Sequence, residues 1–157
     1  MTSTTAHGIA QDYYSMSGID FLRKLMAEGT ESPMGELLNM IVVSVADGEA
    51  GIRGQPSRKF YNPMMRVHGG WAATLIDTAL GSAVLTKMAA GVGVGTVQLN
   101  INYVRKIEEV SGPLTAVAKV LHGGRTMLTA ECKVTDEKGL LYAHGTGTFL
   151  VYPKASG

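Results

Sequence analysis

A single cysteine, Cys132, stands in the 157 residues, so no disulfide can close within the chain and a reducing, cytoplasmic location is expected. An excess of either charge is missing as well. The formal net charge of +1 supplies no field suited to a nucleic-acid backbone. No apolar run of spanning length escapes polar breaks and no basic-then-apolar leader precedes the globular part, so neither membrane insertion nor secretion is expected. Charged residues are also scarce, 17% against 45% hydrophobic; for a small monomer that is low, and it predicts that a partner subunit covers part of the surface. His122 and His144 have no acidic partner at ligand spacing, which argues against a bound metal. The length suits one domain and not two.

Residues 1–16 are rich in Ser, Thr and small side chains without periodicity and read as a flexible arm or covering strap. The domain is placed at 17–157. Ser17 and Asp20 open a helix whose stripe is Phe21, Leu22 and Leu25, with Gly29 where a terminating residue belongs. Residues 37–46 read as a strand, Asp47-Gly48 as a tight turn, and 51–60 as a second strand. A long helix covers 67–86. The run GVGVG at 91–95 follows a helix instead of a strand and lacks dinucleotide-fingerprint spacing, so it reads as a flexible connection. From 96 to 104 the alternation puts Val97, Leu99, Ile101 and Tyr103 on one side and Gln98, Asn100 and Asn102 on the other. Further strands follow at 114–121, 126–135 and 140–151. The order is α+β: an antiparallel sheet able to wrap one long central helix.

That helix holds the chemistry. Ala72, Leu75, Ile76, Ala79 and Ala83 share a face suited to a core. Asp77, its only formally charged residue, has apolar or small helical neighbours at Ala73, Leu80, Gly81, Val84 and Met88, so the rod reads as buried nearly all round. A carboxylate there is costly unless something satisfies it. It serves either a site or a buried structural hydrogen bond. At the helix entrance, His68-Gly69-Gly70 leaves backbone N–H groups open at the positive end of the macrodipole, a setting for an oxyanion or a phosphate. Asp77 lies seven residues beyond Gly70, roughly 10 Å along the axis. One carbonyl cannot rest on both, so either the substrate spans the gap or the second group comes from another subunit.

Asn62, His68-Gly69-Gly70 and Asp77 in this spacing, followed by TVQLNINYVRK, GGRT and GTGTFLV, resemble the hot-dog-fold acyl-CoA thioesterases of the phenylacetate-pathway (PaaI-like) type, over residues 17–152. The resemblance implies a sheet wrapped round its helix, protomers joined edge to edge, and homodimers pairing into a homotetramer. It implies an acyl-CoA substrate, aromatic or of medium length, with CoA part of the substrate and no separate metal or redox cofactor. The helix entrance of one protomer would face the acidic residue of its partner. Gly69 and Gly70 would offer N–H groups to the thioester carbonyl, and Asp77 would be general base or nucleophile. Asn62 and Thr96 would position water or carbonyl, and His68 would brace the loop. Arg125, Arg105 and Lys106 are the cations expected to meet CoA phosphates. Met64 and Met65 would be apolar walls or core. An acyl-thioester dehydratase or hydratase and a non-catalytic acyl-CoA-binding module share the fold and stand as alternatives.

Overall fold

The computed structural model describes residues 3–153. Its helices are α1 (Ser3–Ser15), α2 (Gly18–Glu28), α3 (Pro33–Leu38) and α4 (Gly69–Leu85); its strands are β1 (Met40–Ala46), β2 (Glu49–Gly54), β3 (Val92–Tyr103), β4 (Leu114–Gly123), β5 (Met127–Thr135) and β6 (Leu141–Pro153). The strands form one six-stranded antiparallel sheet in the order β1-β2-β4-β5-β6-β3, which leaves β1 and β3 as edges.

Helix α4 lies against this sheet. Its predicted core face is buried: Leu75, Ile76, Ala79 and Ala83 are fully enclosed and Ala72 nearly so. Each large side chain removed from water here contributes about 1.5–3 kcal/mol. The alanines let strands approach closely. Leu114, Ala116 and Ala118 of β4 and Leu128, Ala130, Cys132 and Val134 of β5 close the core from the sheet side with a period of two.

The prediction that α4 is buried nearly all round does not hold in the single chain. Ala73, Thr74, Asp77 and Gly81 are only partly covered, and Gly70 and Thr78 are exposed. These small and hydroxylated side chains form one stripe along the helix, left open by the sheet.

At the N-terminus, the expected loose arm is helix α1. Its weak pattern has a simple cause: Ile9 and Tyr13, one turn apart, are its partly buried residues packed on the core, and two contacts do not make a visible stripe. Tyr13 sets its ring edge-on to Phe21 at 5.4 Å. Helix α2 keeps its predicted ends, with Ser17 accepting from the Asp20 N–H at 3.3 Å and Gly29 in the left-handed region at φ 61°. The strand expected from 37 begins only at Met40, because Ser32 caps and Pro33 opens the short α3. The second strand stops at Gly54, and Arg58–Phe60 is a turn of 3₁₀ helix.

The GVGVG run is also corrected: from Val92 onward it is the first part of β3, and Gly91, at φ 80°, is the turn residue before it. A Cβ on Gly93 would stand 2.8 Å from the Tyr152 ring, and one on Gly95 would stand 3.2 Å from it. The glycines admit an aromatic ring across the strand and are no hinge.

Strand β3 also departs from strict alternation. Its pairing with β6 slips between Thr96 and Gln98, so Val97 is an extra residue without a partner and is 61% exposed. Thr96, on the outward side by simple parity, is turned towards α4 by this bulge. Leu99 and Ile101 beyond it still pack on the core.

Candidate active site

Two groups of side chains line α4, and each is held by different elements. The first surrounds its entrance. His68 is the N-cap, and its Nδ1 accepts the Gly70 N–H at 2.8 Å; the Trp71 N–H binds the His68 carbonyl at 3.0 Å. Capping therefore commits one of the two N–H groups that the sequence offered to a ligand. The Gly69 N–H has no partner among the described residues. Tyr103 closes over this glycine: its hydroxyl donates to the Gly69 carbonyl at 3.2 Å, and its ring lies 3.3 Å from where a Cβ would stand. Sequence reasoning placed Tyr103 in the strand's apolar face and missed this contact. Its hydroxyl was the available signal.

Asn62 organises the approach. Its Oδ1 accepts the N–H groups of Met64 at 3.0 Å and Arg66 at 3.3 Å, bracing a turn in which Met65 takes φ 56°. Met64 and Met65 are 74% and 65% exposed, so neither is core. A cavity of about 260 Å³ brings Asn62, His68, Gly69, Tyr103, Arg105 and Lys106 to one place. The Lys106 ammonium pairs with Glu108 at 3.0 Å, and Arg66 holds the same carboxylate at 3.1 Å. Arg105 sits over the Tyr142 ring at 5.9 Å. Three cations, Arg66, Arg105 and Lys106, thus stand beside a free backbone donor, with Glu108 paired to two of them, a setting for anionic oxygen.

Asp77 and Thr96 form the second group. The Thr96 hydroxyl donates to Asp77 Oδ1 at 2.9 Å across the gap between β3 and α4. Asp77 Oδ2 has no partner among the described residues. Thr74 and Thr78, on either side in the helix, line a larger cavity of about 350 Å³ with apolar walls. Asp77 lies eight residues beyond Gly69, about 12 Å along the axis. The structure does not bring the entrance and the carboxylate together in one chain.

Arg125 is exposed in the turn between β4 and β5 and lines neither cavity. His122 and His144 are exposed, and among the described residues no three His, Cys, Asp or Glu side chains gather as metal ligands would. Cys132 is buried behind the sheet, where desolvation pushes its thiol up to about 12. A group that stays protonated there is not a nucleophile. No helix among the described residues is long and apolar enough to cross a membrane.

An antiparallel sheet wrapped round one helix, with a carboxylate in the helix's middle and an open donor at its start, is the hot-dog fold in the form used by thioesterases. The chain belongs to the thioesterase superfamily, whose family model matches residues 65–143. It is 38% identical over 130 residues to a putative esterase of Halobacterium salinarum, an alignment covering 74% of this chain and 84% of the relative. It is 26% identical over 119 residues to a 1,4-dihydroxy-2-naphthoyl-CoA hydrolase of Listeria monocytogenes, covering 76% and 95%. In fold it is similar to the PaaI protein of the phenylacetic acid degradation operon of E. coli, with a TM-score of 0.73 over 95% of this chain and 96% of that one, at 19% identity. The activity that this membership carries is hydrolysis of a thioester.

Proposed function

We propose that the protein hydrolyses an acyl-CoA, with an aromatic or medium-length acyl group, in a site completed by a second copy of the chain. The observation that carries this reading is the separation of two unlike groups on one helix: a free N–H at Gly69, and about 12 Å away a carboxylate held by Thr96. In a two-fold dimer the helices run so that each entrance faces the partner's Asp77, and the same stretch serves twice. Strand β3, an unpaired edge beside α4, is the element through which the sheets would join. Pairing of dimers into a homotetramer belongs to the same proposal.

In that site the Gly69 N–H receives the thioester oxygen as it gains charge. The helix macrodipole adds to this stabilisation. Asp77 acts by one of two routes. As general base, it takes a proton from water through Oδ2 while Thr96 holds Oδ1. As nucleophile, it attacks the carbonyl carbon, expels the CoA thiolate and leaves a mixed anhydride that water cleaves. Either route yields free acid and CoA. Asn62, Arg105 and Lys106 lie on the entrance side, where carbonyl and CoA phosphates would rest. Arg125 of a second copy remains a candidate for the same phosphates.

Mixing two inactive variants tests the shared site. Asp77→Ala and Gly69→Pro homodimers are each expected to be nearly inactive, and Pro fits the first helical position after an extended His68 (φ −61°, ψ 138°). After co-refolding, hybrid dimers carry one intact site, so thiol release from acyl-CoA should return to roughly a quarter of the wild-type rate. No recovery, with hybrids verified by mass, would sink the shared site. Wild-type protein that releases no thiol across a panel of aromatic and straight-chain acyl-CoA substrates would sink the activity itself.

A further inference from the structure

The larger of the two cavities borders the turn of α4 that carries Asp77. Thr78 follows Asp77 directly, Gly81 lies one turn further along α4, and Val94 is two residues before Thr96 on the same side of β3, ahead of the bulge. From there it runs inward between α4 and α2, where Leu22 and Leu25 are buried. No lysine or arginine lines it. Its charged group, Glu31, binds the Val42 N–H at 3.3 Å, and burial pushes its carboxyl up, which favours the neutral form. Such a space suits an apolar group leaving water and repels a phosphate.

Two residues fix its extent. Tyr13 of α1 lines the cavity together with Val94 of β3, its ring set edge-on to Phe21 at 5.4 Å, and so walls the outer side. Gly81 leaves the inner side open. A Cβ there would meet Phe149 at an ordinary 3.6 Å, so the helix accepts an alanine at 81, and a longer side chain is expected to take its room from the cavity that Gly81 lines.

We propose that this cavity takes the acyl group, within the chain that supplies Asp77, and that Gly81 and Tyr13 set the size of acyl group accepted. The inference rests on the acyl-CoA reading above and deepens it: acyl group and CoA phosphates are held by different protomers. An acyl group seated here places its carbonyl beside Asp77. The CoA portion then leaves towards the partner's helix entrance.

Two measurements test this, one of them independent of turnover. Calorimetric binding of octanoate should weaken about tenfold in Gly81→Leu and less in Gly81→Ala, a change that also favours the helix. In hydrolysis of a straight-chain acyl-CoA series, Gly81→Leu should lower kcat/KM about tenfold for the longer substrates and leave the shortest within about twofold. Tyr13→Ala should shift the preferred length upward, and Tyr13→Phe should not. Failure of octanoate to bind the wild type overturns the proposal. So do unchanged affinity and an unchanged length profile in folded Gly81→Leu and Tyr13→Ala. If no acyl-CoA is cleaved, the acyl-CoA reading fails, and the octanoate result still decides the cavity.

Discussion

The first turn of α4 and the turn that carries Asp77 belong to one helix, yet they are built from opposite chemistry. Around Gly69 the offered group is a backbone donor, with Arg105 and Lys106 beside it and Tyr103 pressed against the glycine. Around Asp77 it is a carboxylate fixed by a hydroxyl, next to a cavity without cations. An acyl thioester is divided in the same way, into an oxygen that gains charge, a phosphate-bearing tail and an apolar acyl group. Neither turn alone addresses all three. Since about 12 Å of helix separates them, the difference is what the proposed dimer answers: in it the open stripe of α4 is half of a surface completed by a second copy.

The sharpest way to break the comparison is to remove the carboxylate. Asp77→Ala should lower kcat by about 10² to 10⁴ whichever route Asp77 takes, with far-UV circular dichroism unchanged because the side chain lies on the open stripe and not in the core, and the comparison is made on variant protein whose oligomeric state matches the wild type. Thiol release at the wild-type rate would leave the Asp77 turn with no catalytic part. At the other turn, Gly69→Pro removes the free N–H and keeps the helix, while its ring presses on Tyr103, 3.3 Å from the Cβ position; Gly69→Ala, which adds the Cβ and keeps the N–H, is the control for that contact. The expected loss in Gly69→Pro is about 10² to 10³ in kcat, the cost of one oxyanion donor. Gly70→Ala is a different perturbation: its Cβ would stand 2.9 Å from His68 Nδ1. It should disturb the cap, costing stability of about 1 kcal/mol in a thermal or denaturant melt.

The contrast between the turns was only partly legible in the sequence. The five core positions of α4 follow from periodicity, since one buried face leaves one period. Asp77 was conspicuous for being charged. Its surroundings were not legible, because a stripe of glycine, alanine and threonine looks the same whether the core or a partner covers it. The use of the Gly70 N–H was hidden as well, since a histidine cap is a matter of rotamer and not of spacing. Thr96 reached its place through a bulge, and adding one residue to a strand reverses every parity argument beyond it. The glycines of β3 misled for a related reason. Flexibility and close approach of a ring both ask for a missing Cβ, and only the position of Tyr152 distinguishes them. Helix α1 was unreadable because it touches the core at so few points.

Thr96 offers a finer cut between the turns. Thr96→Val keeps the shape and removes the 2.9 Å hydrogen bond that orients Asp77. If the hydroxyl positions the carboxylate, kcat should fall about tenfold, the order expected from loss of a hydrogen bond to a charged group. Thr96→Ser should restore most of the rate. KM for acyl-CoA should scarcely move if the phosphates rest, as proposed, at the other turn. An equal fall in Thr96→Ser would point to packing of the methyl group instead.

The smallest effect belongs to the cations of the entrance. Lys106 is 59% exposed and paired with Glu108 at 3.0 Å, so solvent and salt weaken any field it adds. Lys106→Ala should raise KM for acyl-CoA only about two- to fivefold, leave kcat unchanged, and lose its effect at high ionic strength. The same variant assayed with an acyl N-acetylcysteamine thioester, which has the carbonyl and acyl group but no phosphates, should behave as wild type. That pairing separates the two turns by chemistry. A phosphate-bearing substrate should feel Lys106 and Thr96 alike, a phosphate-free one Thr96 alone. An equal KM increase for both substrates would mean that Lys106 acts by holding Glu108 and the Arg66 loop, and that the entrance recognises carbonyl without reading the CoA tail.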